Sequence, residues 1–70
     1  MSNFGKKCRQ AGLTAYRISK DTGVNVQTVA NWMRGDFTPK LSENLKNVLE
    51  YCQRSGVDVS FEDMMRNESV

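Results

Sequence analysis

Residues 26 to 34, VQTVANWMR, carry side chains suited to bonding a flat surface patterned with donors and acceptors. Gln27 and Asn31 each hold a donor and an acceptor on one planar group, which matches the N6 and N7 edge of adenine. Thr28 can bond a phosphate or touch a thymine methyl. Wound as a helix, the segment puts Val29, Trp32 and Met33 at i, i+3 and i+4 in an apolar stripe. Gln27, Thr28, Asn31 and Arg34 are then left on or beside the opposite side. Val26 shares a second stripe with positions 29, 30 and 33, so on periodicity it edges the core. The chemistry on offer is the reading of base edges; an ordinary solvated helix face has the same composition.

Other chemistries are poorly provided for. Histidine is absent, which removes the commonest general base and metal ligand. Cys8 and Cys52 are the two cysteines, far apart and with no paired Cys or His to complete a metal site, so they read as buried thiols. No pair of acids and no activated nucleophile stands out. The expectation is a chain that is not an enzyme and takes no cofactor and no metal.

Two short helices must position the amides. Thr14 can cap a helix over Ala15 to Thr22, and Gly23 follows as a residue able to take positive φ. Asn25 can cap a second helix from Val26 to about Arg34, which Gly35 and then Pro39 close. So short a connection with Gly at its head forces a steep crossing, the geometry of a helix-turn-helix that enters a major groove.

With these spacings in place, residues 13 to 49 resemble the helix-turn-helix of the phage repressor and Cro-like (XRE-type) family. Ser19, four residues before Gly23, stands where that family packs a small residue beside the turn. Val24, Val29 and Trp32 stand at its apolar positions one, six and nine after the glycine, and Gly35 and Pro39 at its closing pair. Ala15 replaces the Gln that commonly opens the first helix, and the helix after Pro39 runs longer than usual. The resemblance implies an all-α, compact four- to five-helix lambda-repressor-like DNA-binding domain with a central helix-turn-helix. It places Val26, Gln27, Thr28 and Asn31 where relatives read bases or anchor to backbone. It also puts the start of the first motif helix, with Tyr16 and Arg17, toward phosphates. The loop after Arg34 lies beside the DNA backbone in relatives, which makes Arg34, Thr38 and Lys40 phosphate ligands and leaves Asp36 unfavourable there unless paired or turned away.

Charge distribution points the same way. Residues 1 to 40 hold seven basic and two acidic side chains, a formal +5, and residues 41 to 70 hold three against six, a formal −3, for the net +2. The positive part is the part with the motif, which favours a polyanion with a strongly salt-dependent affinity. On this ground Lys6, and Lys7 and Arg9 beside it, are read as contacts to phosphates, the alternative being ordinary solvation.

Seventy residues make one domain, which buries only about 60% of the surface its unfolded chain exposes. A single domain over residues 1–66 with a loose tail over 67–70 is expected. No run approaches the roughly 20 apolar residues that span a bilayer, and no apolar signal region opens the chain, so an intracellular, nucleoid-associated protein without membrane contact is expected.

The flanks supply the core. Phe4, Cys8 and Ala11 fall on one helical face, with Gly5 weakening that helix near its start and Gly12 ending it. Leu41, Leu45, Val48, Leu49 and Cys52 form the strongest amphipathic pattern, ending before Gly56. Beyond it, Val57, Val59 and Phe61 alternate as in a strand, whereas Ser60 with Asp63 resembles a helix cap ahead of Phe61, Met64 and Met65; the helix is the preferred reading. These late apolar residues either finish the core or meet a second copy in a homodimer.

The reading is a sequence-specific regulator of double-stranded DNA, a small phage or prophage Cro- or CI-like repressor that docks in the major groove as a dimer on a two-fold operator, with no small-molecule effector. The alternative is a protein-interaction module of the same fold, antitoxin-like or modulating a partner repressor.

Overall fold

Side-chain caps start the helices where the sequence offers them. The computed structural model describes residues 2–35 and 42–65. Within them α1 runs Asn3–Gln10, α2 Ala15–Thr22, α3 Val26–Arg34, α4 Glu43–Arg54 and α5 Phe61–Met65. The Ser2 Oγ accepts from the Gly5 amide, the Thr14 hydroxyl from Arg17, Asn25 Oδ1 from Gln27 and Thr28, and the Ser42 Oγ from Leu45. Each such cap is worth about 1 kcal/mol. Among the described residues the regular structure is all helical, and no helix is long and apolar enough to cross a membrane.

The α2–α3 turn is built from local bonds. Gly23 sits at φ 80°, a conformation that a Cβ penalises, and its amide closes α2 by bonding the Ser19 carbonyl at 2.8 Å. Thr22 Oγ1 donates to Ile18 and accepts from the Val24 amide, which fixes the path out of the helix. Val24 is thereby pressed into the core at 3% exposure.

With the turn set, α2 packs on α3 and α4, while α1 packs on α3 and α5. Phe4, Cys8, Ile18, Val29, Leu45, Val48 and Cys52 are fully enclosed between them. Burying each large apolar side chain contributes about 1.5–3 kcal/mol, so a core of this size suffices for a small domain but tolerates few losses.

Three expectations about α1 change. Ala11 was expected on the buried face with Phe4 and Cys8, but it is exposed, because the helix ends at Gln10 and Ala11 is its cap. Gly5, expected only to weaken the helix, is the point where α1 crosses α3: a Cβ there would collide with the Met33 carbonyl. Lys7, expected with the other basic residues of this helix on phosphates or in solvent, instead donates to the Asp58 carbonyl at 2.8 Å and pairs with Asp63 at 3.2 Å.

The C-terminal segment resolves as the helical reading. Val57, Val59 and Met64 are buried, so they finish the core rather than lie in wait for another surface. The Asp63 carboxylate accepts from the Ser60 amide at 2.9 Å, half of the reciprocal cap that the sequence suggests. Gln53 Nε2 holds the Val59 carbonyl. For the long amphipathic helix the start falls at Ser42 and Glu43; Leu41 lies outside the described residues.

Candidate nucleic-acid interface

Helix α3 keeps its two sides apart. Val29 is fully buried and Trp32 is 8% exposed, as the stripe predicts, with Met33 packed against them. On the other side Gln27 is exposed, Asn31 and Thr28 are half-buried, and Val26 is 44% exposed, so Val26 edges outward rather than into the core.

The amides are joined. Gln27 Nε2 donates to Asn31 Oδ1 at 3.2 Å, and the Arg34 guanidinium donates to the same oxygen at 2.8 Å. These residues lie at i, i+4 and i+7, one row along the helix, which is why the three side chains meet. Both lone pairs of Asn31 Oδ1 are therefore taken, while among the described residues Gln27 Oε1 and Asn31 Nδ2 have no protein partner. The row offers an incoming surface the Asn31 Nδ2 donors and the Gln27 Oε1 acceptor. A bidentate contact from Asn31 requires Gln27 or Arg34 to let go of its oxygen.

The Thr28 amide bonds the Asn25 cap. Asn25, with its side chain occupied on both Gln27 and Thr28, is the residue that fixes the start of the row.

Of the phosphate candidates, Tyr16 is 69% exposed in the first turn of α2 and Lys6 is exposed on α1. Arg17 is exposed too, but it leans toward α4. There the Tyr51 hydroxyl donates to Asp21 at 2.5 Å. That bond, slight burial and the Asp21 charge raise the Tyr51 phenol above its usual range, and the neighbouring Arg17 guanidinium opposes the shift. Thr38, Lys40 and Asp36 lie outside the described residues.

The basic side chain that the fold does bring to α3 is Arg9. It lines, with Leu13, Thr14, Ala15, Ala30, Met33 and Arg34, an open apolar notch of about 310 Å³ where the end of α1, the start of α2 and α3 meet. Arg9 is in the sequence one of the basic α1 residues read toward phosphates or solvent; the crossing of α1 over α3 puts it on the same notch as Arg34. The α2 amino terminus at Thr14 and Ala15 shares this rim, so the partial positive charge of its amides adds to the two guanidinium groups.

Among the described residues no group of three or more His, Cys, Asp or Glu side chains is placed to hold a metal ion. No family model, curated protein or solved structure matches the chain.

Proposed function

We propose that this chain is a sequence-specific regulator that binds double-stranded DNA, laying α3 in the major groove in the manner of a lambda-repressor-like helix-turn-helix, as a small Cro- or CI-like repressor dimer. One observation carries the reading: the Gln27–Asn31–Arg34 row stands on the outer side of α3 while Trp32 is enclosed on the inner side. The reverse arrangement, amides covered and tryptophan in solvent, would remove the basis for it. Gln27 and Asn31 then face base edges, with Thr28 and Val26 beside them near thymine methyls or phosphate. Lys6, Tyr16, Arg17 and Arg34 serve the backbone, and Arg9 joins them through its place on the same notch as Arg34. Thr38 and Lys40 belong to the same proposal by sequence alone.

Selection of duplexes from a random pool, followed by titration of the winner at two salt concentrations, tests the proposal. A recurrent motif with two-fold symmetry and a steep salt slope is the expected result. Failure to enrich any motif, with weak binding that ignores salt, would end it.

The apolar notch favours a second reading, a protein-interaction module. Its floor of Leu13, Ala15, Ala30 and Met33 between two arginines suits an apolar side chain on an acidic partner segment. A stable heterocomplex from a chain that enriches no DNA would favour that alternative.

A further inference from the structure

Two core side chains do more than fill space. Cys8 on α1 and Cys52 on α4 are both fully buried, both free thiols, and 44 residues apart in the chain, yet their sulfurs stand 3.8 Å from one another in a hydrogen bond. A disulfide holds its sulfurs at about 2.05 Å, so closure asks for less than about 2 Å of movement shared by two side chains. The chain has two cysteines in all, so one intramolecular pairing exists. No third ligand stands near enough to make the pair a metal site among the described residues.

We propose that Cys8 and Cys52 form an oxidative modification site, a dithiol that a low-molecular-weight disulfide such as oxidised glutathione converts into a single cross-link tying α1 to α4. The Cys52 thiolate attacks one sulfur of the reagent, breaks its S–S bond, and expels one glutathione thiolate. Cys8, on losing its proton, then attacks the Cys52 sulfur of the mixed disulfide and releases the second. The two protein thiols give up two electrons and two protons, and the reagent leaves as two molecules of glutathione thiol. Either sulfur can donate the hydrogen bond between them, and the exchange balances equally with the two cysteines in exchanged roles.

Burial of both sulfurs governs the rate of this exchange, since the reagent reaches them only through a local opening of the core. It does not govern the equilibrium. A fold that already holds the sulfurs in contact favours the disulfide over the same chain unfolded, where a loop of this length must first close. The inference stands apart from the DNA reading, because its readouts involve no nucleic acid.

The full chain is equilibrated in reduced and oxidised glutathione over a range of ratios, in native buffer and in denaturant, acid-quenched and weighed. Half-conversion to a species lighter by two hydrogens is expected in native buffer at a squared-thiol-to-disulfide ratio at least about tenfold more reducing than in denaturant. The oxidised chain is expected to melt higher than the reduced one, on the order of 10 °C. Cys8→Ala, given the same treatment, should show no such rise. An equal or lower native ratio overturns the proposal, as does a persistent mixed disulfide, a disulfide-linked dimer, or a melting shift that survives in Cys8→Ala.

Discussion

The two sides of α3 obey different rules. On the inner side α1 comes so close that Gly5 lies on the Met33 carbonyl, and Ser2 seals the crossing. Its Oγ bonds the Trp32 carbonyl at 2.7 Å and touches that of Met33 at 3.0 Å, while its amide donates to Met33 at 3.1 Å. On the outer side Gln27 and Arg34 each donate to Asn31 Oδ1. One side is fixed by shape, where a methyl group is too much. The other is fixed by hydrogen-bond direction, where side chains can exchange partners. Substitutions on the two sides should therefore separate stability from binding.

The largest effect is expected at Gly5. An alanine there gains about 1 kcal/mol in helix propensity but must push two backbones apart, and the collision wins. Gly5→Ala should lose about 3 kcal/mol of stability and lower the melting temperature by more than about 10 °C. An unchanged melting temperature would mean that α1 is free to slide off α3, and the contrast between the sides would vanish.

On the outer side the loss should appear in binding. Asn31→Ala or Gln27→Ala is expected to cost roughly 1–3 kcal/mol on the selected duplex, little on random DNA, and under about 0.5 kcal/mol in stability. Because both amides share Asn31 Oδ1, the double substitution should depart from additivity by roughly 0.5 kcal/mol or more. Strict additivity, or equal losses on both DNAs, would move these residues to the class of backbone contacts.

Ser2→Ala should cost about 1–2 kcal/mol, since it removes a helix cap and a buried bond together. Chemical denaturation would read the loss, and duplex affinity of the folded fraction should stay the same. A change in affinity with no change in stability would place Ser2 in the wrong group.

The smallest effect is expected away from α3, where Tyr51 joins α4 to α2. Its folded pKa lies above the ordinary value of 10.0, so the contribution of the Asp21 bond is fully present below pH 10 and is lost as pH rises through the folded value. Wild-type stability should fall there slightly more than that of Tyr51→Phe. Parallel curves for the two proteins would show that the bond does not persist in solution.

How much of this was legible beforehand depends on sequence distance. The bounds of α2 and α3 could be read from Thr14, Gly23, Asn25 and Gly35 because each cap joins residues no more than four apart. The outward set of amides followed from the period of α3, and so did the burial of Trp32. Ala11 was misplaced for a related reason: periodicity assigns a face but does not say where the helix stops.

The amino-acid sequence by itself determined the bounds and caps of α2 and α3, the apolar stripe of α3 and the excess of positive charge in the first forty residues, since all of these arise from neighbours along the chain or from counting. Only the tertiary structure decided that Gly5 and Ser2 clamp α3, that Arg9 and Arg34 line one notch, that Lys7 belongs to the C-terminal segment, and that Cys8 meets Cys52. Those contacts join positions some 25 to 56 residues apart, with Ser2 to Trp32 spanning 30 and Lys7 to Asp63 spanning 56. They depend on the crossing of one helix over another, which packing of the whole core sets and no short window of residues encodes.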